Sequence, residues 1–239
     1  MSVSLTRRQF MQWSGMFALG TTLSACGAVE SFTAEPTAEP TPEPAVTGPD
    51  EALQRLLDGN QRYVNNRTVD PNQTERRRVE VATGQHPFAT ILGCVDSRVP
   101  PEIVFDRGLG DLFVIRTAGQ VIDQAVLGSI EFGSFELGIP LVFVLGHESC
   151  GAVTAALHAV ETPAEVEGSI GYLVEAITPA IEAAHGQEGD ELDNAVKANV
   201  SLVVERLKQS PILSEAITAG TLKIVGGRYD LDKGAIELV

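Results

Sequence analysis

From about Asp50 onward, short apolar runs alternate with helical periodicities. Leu53, Leu56, Leu57 and Tyr63 recur at helical spacing, and Asp50 ahead of them is a candidate N-cap. A second helix is predicted over Gln73–Thr83, stopping at Gly84. Phe88–Gly93, Leu112–Ile115, Leu141–Leu145 and Leu222–Gly226 are continuous apolar runs of strand length. Helical patterns separate them over Gln124–Leu137, Cys150–Val160, 169–185 and 190–208. Ser210-Pro211 opens one more helix, with proline in the first turn, where it is tolerated. A fifth strand, Ala235–Leu238, follows a turn at Asp230–Gly234. Continuous apolar strands separated by helices define an α/β fold, a mostly parallel central sheet covered on both faces.

The first 49 residues follow a different pattern. Thr6-Arg7-Arg8-Gln9-Phe10 reads as a twin-arginine export signal, and the modestly apolar stretch Phe10–Ala25 is too short and polar for a firm transmembrane helix. Leu23-Ser24-Ala25-Cys26 resembles a lipobox, which makes Cys26 the candidate lipidation site and membrane anchor. Residues 27–49 contain a Pro/Glu/Thr tract with almost nothing to bury, expected to be an extended, disordered spacer. The division is therefore a signal segment over 1–26, a linker over 27–49 and a globular domain over 50–239. A twin-arginine signal serves the periplasm, the outer face of a plasma membrane or a thylakoid lumen. Lys and Arg number 17 against 32 Asp and Glu, and the net charge of −15 argues against a nucleic-acid partner.

Without the signal segment only two cysteines remain, Cys94 and Cys150, each just past an apolar run. His147 stands three residues before Cys150, so one short turn presents both side chains to one metal ion. In open parallel sheets, ligands bind beyond the strand C-terminal ends, where both clusters fall. Two thiolates and one imidazole are a zinc set, and three protein ligands leave a coordination position for chemistry. The alternative is a Cys94–Cys150 disulfide with His147 at the surface, which leaves the neighbouring residues unexplained. Asp96 and Arg98 lie two and four residues beyond Cys94. Arginine beside the carboxylate keeps it ionised and oriented. Such a carboxylate either accepts a hydrogen bond from a water at the metal or ligates the metal and closes the site.

Cys94-Val95-Asp96-Ser97-Arg98-Val99-Pro100-Pro101-Glu102, His147-x-x-Cys150-Gly151 and Val225-Gly226-Gly227-Arg228-Tyr229-Asp230-Leu231-x-x-Gly234, in this order, resemble the beta class of carbonic anhydrases over essentially all of 50–239. That resemblance implies about four parallel strands with an antiparallel edge strand, and a homodimer or dimer of dimers. It implies one zinc per chain on Cys94, His147 and Cys150, and reversible hydration of carbon dioxide to bicarbonate. Asp96 and Arg98 match the catalytic dyad, with Asp96 a metal ligand only in a closed state. Gln85, Phe113, Ala118 and Phe132 match residues of the substrate pocket. Phe132 stands where many members have tyrosine. Ile91 stands where bicarbonate-inhibited members have tryptophan, although Arg116 matches their arginine. Glu148-Ser149 is a less usual filling of the H-x-x-C turn, and Glu148 is expected to face solvent or add negative charge near the metal. His86, His158 and His185 read as loop or surface residues, and no proton shuttle is assigned. The competing functions are a related zinc hydrolase acting on carbon disulfide or carbonyl sulfide, and a non-catalytic zinc scaffold.

Overall fold

The computed structural model describes residues 44–162 and 166–239. The export segment, Cys26 and the spacer up to residue 43 lie outside the described residues. Five strands form one sheet: β1 (Ala89–Cys94), β2 (Leu112–Thr117), β3 (Leu141–His147), β4 (Lys223–Tyr229) and β5 (Ile236–Leu238). Their order is β2-β1-β3-β4-β5. The first four are parallel, and β5 runs antiparallel to β4. The helices are α1 (Pro49–Val64), α2 (Glu75–Val81), α3 (Pro101–Val104), α4 (Gln124–Phe135), α5 (Gly151–Glu161), α6 (Ile170–Ala184), α7 (Glu191–Lys208) and α8 (Pro211–Thr218). Among the described residues, no helix is long and apolar enough to cross a membrane.

Strand alternation sends side chains to two cores. Leu92, Val142, Val144 and Ile224 meet Ile130 of α4, Val200, Val203 and Leu207 of α7, and Leu213 of α8. Ile91, Leu141, Phe143 and Leu145 pack on the opposite face against Ala52 and Leu56 of α1, Val104 and Phe105. There Phe105 meets Phe143 edge-on at 5.5 Å. The sheet is thus covered on both faces, which is why its strands read as unbroken apolar runs. Gly146 and Gly226 let α7 sit close on the sheet: a Cβ on either would stand 2.4 Å from a methyl of Val200.

Two local expectations are corrected. Asp50 does not cap α1: Gly48 is the N-cap residue, and Pro49 begins the helix. Thr47 donates instead to Glu51 through both its amide (2.8 Å) and its hydroxyl (2.6 Å), while Asp50 pairs with Lys223. After β1, Pro101 opens the one-turn α3. The tail of the spacer is also engaged. Val46 packs against the α1-side core, and Arg55 donates to the Pro44 carbonyl at 2.8 Å.

Candidate metal centre

β1 and β3 are in register, with Gly93 beside Leu145, so their last residues emerge together at the C-terminal edge of the sheet. Cys94 ends β1, His147 ends β3, and Cys150 is the N-cap residue of α5. All three are buried, at 5%, 0% and 1% exposure. Their ligand atoms lie within 4.8 Å of one another, the one Cys/His/Asp/Glu cluster of metal-binding geometry found among the described residues. The two sulfurs are 3.9 Å apart, and both cysteines are free thiols. The disulfide alternative is therefore not what this structure holds.

The donors fit zinc. Thiolates held about 2.3 Å from a tetrahedral zinc stand about 3.8 Å apart, close to the observed spacing. His147 Nδ1 lies 2.8 Å from the Glu148 carbonyl, which only accepts, so Nδ1 carries the proton. That leaves Nε2 with a lone pair, and it is buried without a hydrogen-bond partner. A buried atom of this kind calls for an acceptor of its electrons, and a metal ion is one.

Electrostatics tell the same story. The hydrogen bond from the Cys150 thiol pulls Cys94 down to about 4, against the opposing effect of burial, helped by His147 and the Gly119 amide. Cys150 is pushed far up, chiefly by that same contact and then by burial, against the amides of Ala152 and Val153 at the start of α5. The pair thus shares one proton where a metal would displace it and hold both sulfurs as thiolates. For His147, burial disfavours the charged form, but its contacts with the Cys94 sulfur outweigh this and raise it above its ordinary value.

The loop after β1 brings the carboxylate to this edge. Arg98 holds Asp96 with both ends of its guanidinium, Nε to Oδ1 at 3.0 Å and the terminal nitrogen to Oδ2 at 2.8 Å. The Arg98 amide adds a third bond at 2.9 Å. These contacts, Arg98 first, hold Asp96 well below the usual carboxylate range despite some burial. Asp96 Oδ2 stands 3.8 Å from His147 Nε2, beside the ligand set and outside it. Arg116 donates to the Cys94 carbonyl at 2.7 Å and to the Asp96 carbonyl at 2.6 Å, so its guanidinium ties the ligand loop together. Ile91 is fully buried in the core.

The turn after β3 is anchored separately. Glu148 does not simply face solvent. Its carboxylate accepts from the Leu231 amide at 3.2 Å and lies 3.5 Å from the Arg228 guanidinium. Arg228 also approaches Asp193 at 2.6 Å and Asp230 at 3.5 Å. The Glu148 amide donates to the Tyr229 carbonyl at 2.9 Å, and Ser149 takes a left-handed φ of 53° to close the turn.

The four candidate pocket residues do not gather around the metal cluster within one chain. Ala118 is adjacent, since it begins the turn whose Gly119 amide donates to Cys94 Sγ at 3.5 Å. Gln85 is exposed and precedes β1. It lies before the start of β1, whereas Cys94 ends that six-residue strand, whose length is about 16 Å. Phe113 sits beside Thr90 on outer strand β2, against Gly133 of α4, and Phe132 on that helix is 48% exposed. His86, His158 and His185 are exposed, as expected of loop and surface residues. Gly119 is a contributor that the sequence did not single out, and Arg116, Glu148 and Arg228 were visible there only as motif positions, without the contacts they make.

A zinc-type Cys–His–Cys centre on the C-terminal edge of a mostly parallel sheet defines a class, and comparison with known proteins narrows it. A family model described as carbonic anhydrase matches residues 89–236. Carbonic anhydrase 2 of Mycobacterium tuberculosis is 45% identical over 193 residues, covering 80% of this chain and 93% of that protein. The β-carbonic anhydrase CafA of Aspergillus fumigatus superposes with a TM-score of 0.61 at 28% identity, over 68% of this chain and 79% of that one. One of two tetrameric β-carbonic anhydrases from Sordaria macrospora gives 0.62 at 21% identity, over 78% and 96%. The chain belongs to the carbonic anhydrase family, in its β class. Zinc is the metal for its Cys94–His147–Cys150 cluster.

Proposed function

We propose that the chain interconverts carbon dioxide and bicarbonate at a zinc held by Cys94, His147 and Cys150, with Asp96 and Arg98 as a catalytic dyad. The observation that carries this reading is Asp96 Oδ2 standing 3.8 Å from the metal-facing nitrogen of His147 while Arg98 grips both its oxygens. When bound, zinc supplies the Lewis acidity that makes a water nucleophilic near neutral pH. Two thiolates formally cancel the charge of a divalent metal, so this acidification is weaker than with three neutral imidazoles, and activity shifts toward alkaline pH. Ionised Asp96 only accepts hydrogen bonds. It therefore takes one from the attacking water and turns that water's free lone pair toward carbon dioxide. Arg98 restrains Asp96 from swinging onto the metal, an arrangement that supports the open form of the site. Stopped-flow hydration by the zinc-loaded protein tests the reading. Activity should rise with pH and fall sharply in Asp96→Asn with zinc content unchanged. An inactive wild type at alkaline pH would point to the scaffold alternative.

The proposal extends to assembly and location. The outer side of β2 is unpaired among the described residues, its six positions are half-buried, and Phe132 and Phe135 nearby are 48% and 74% exposed. These features support a homodimer or dimer of dimers in which Gln85, Phe113 and Phe132 reach a metal site only from a second chain. Sedimentation should give a dimer or larger; a monomer with full activity would count against this. The Arg7-Arg8 signal and Cys26 support twin-arginine export and lipid anchoring at the periplasmic or outer face. Labelled palmitate should enter wild type and not Cys26→Ser.

A further inference from the structure

The Cys94 sulfur has a neighbour that the zinc chemistry does not account for. The Gly119 amide donates to it at 3.5 Å from inside a short turn. That turn has two consecutive residues with left-handed backbone, Gly119 at φ 64° and Gln120 at φ 56°. Glycine adopts this region freely, whereas for glutamine it is strained. A strained turn keeps its shape only when its surroundings hold it. The Gly119 side is closed by packing, since a Cβ there would stand 2.7 Å from Ile177 Cδ1 and 3.1 Å from Ala152 Cβ. The carbonyl side is held by one side chain from 80 residues away in sequence. Asn199 Nδ2 donates to the Gly119 carbonyl at 2.8 Å and reaches Gln120 Oε1 at 3.4 Å.

Asn199 is 2% exposed in the middle of α7, between the core valines Val196 and Val200. Asparagine disfavours a helix interior, and a buried amide is costly unless bonded. The position therefore suits its partner far better than it suits its helix.

We propose that Asn199 is a positioning residue for the metal centre. It holds the Gly119–Gln120 turn so that the Gly119 amide stays aimed at Cys94 Sγ, and in this way tunes the charge that this thiolate donates to zinc. The chain of contact runs from Asn199 through the Gly119 carbonyl, across its α-carbon to its amide, and on to the sulfur. An N–H bond to a thiolate withdraws electron density from it, so losing the bond alters both the metal's affinity and its electronic spectrum.

The test uses the full chain with Asn199→Ala and with Asn199→Asp, which keeps the shape and removes the donor. Zinc affinity from chelator competition should weaken about 10- to 100-fold, the range for partners one step removed from a ligand. The thiolate-to-metal charge-transfer band of the cobalt-substituted protein should shift. A residue with a merely structural role would lower the melting temperature and leave that band in place. Folded variants with wild-type affinity and an unshifted band would overturn the proposal. Should neither variant fold, the cadmium-113-loaded wild type decides. The proposal requires the Gly119 amide proton to couple to the metal through sulfur and the Asn199 side-chain amide protons to resist exchange, and absence of either overturns it. A wild type that takes up no metal would instead count against the zinc centre itself.

Discussion

Two loops meet at the metal, and they are built differently. The loop after β1 supplies Cys94 and carries Asp96 and Arg98 into partial contact with solvent, the Arg98 side chain being 53% exposed. The turn after β3 supplies His147 and Cys150, both buried, and is clamped from behind by Glu148, Arg228 and the Leu231 amide. The first loop thus presents a charged group where a reactant can arrive. The second holds ligands still. Division of labour of this kind exposes a carboxylate fixed by Arg98 to reactants while the metal ligands stay buried.

The sharpest way to break the comparison is to remove a ligand from the rigid turn. His147→Ala should abolish stoichiometric zinc binding, read by elemental analysis of the purified protein. Asp96→Asn in the reactive loop should do the opposite, keeping zinc while lowering kcat about 10²- to 10⁴-fold, the usual range for a lost proton-handling group. Full activity in that variant would remove Asp96 from the mechanism. The same substitution has a pH signature in the metal-free protein. Arg98 depresses Asp96 in the folded state, so its contribution to stability is present above the ordinary carboxylate value and lost as pH falls below it. Wild type should therefore be the more stable of the two at neutral pH, and the gap between their denaturation midpoints should begin to narrow near pH 4 and close only well below it.

Smaller effects are expected behind the rigid turn. Arg228→Gln removes the cation that Glu148 and Asp193 share and should weaken zinc binding about 10-fold with little change in the pH profile of activity. An altered profile with unchanged affinity would mean that Arg228 acts on the reaction rather than on the ligands. Ser149→Gly relieves a left-handed serine but adds freedom to the unfolded chain. The two effects nearly offset, so a gain of no more than about 0.5–1 kcal/mol is expected by urea denaturation.

Much of this was legible beforehand. The strands were visible as apolar runs because both their faces are covered, and Cys94, His147 and Cys150 were visible because they follow two of those runs. Asp96 and Arg98 were visible because their partnership is local, two residues apart. What escaped was non-local or local in a different way. Asp50 has a good capping side chain, yet Pro49 begins the helix, so Asp50 falls inside the first turn and pairs with Lys223. The sequence left Glu148 between facing solvent and adding charge near the metal, because Arg228 and Leu231 lie some 80 positions further on. Asn199 carried a faint signal, an amide between the apolar helix positions Val196 and Val200, but nothing nearby named its partner.

The sequence by itself determined the parallel sheet, the three metal ligands, the Asp96–Arg98 pair and the carbonic anhydrase resemblance, since each rests on periodicity or on short motifs placed at strand ends. Only the tertiary structure decided which nitrogen of His147 faces the metal, what braces each loop, and that Gln85 and Phe113 stand apart from the zinc site of their own chain. Strand length separates Gln85, before the start of β1, from Cys94 at its end, and strand order sets Phe113 on the outer rim of the sheet. Both follow from how the strands assemble, which spacing along the chain does not record.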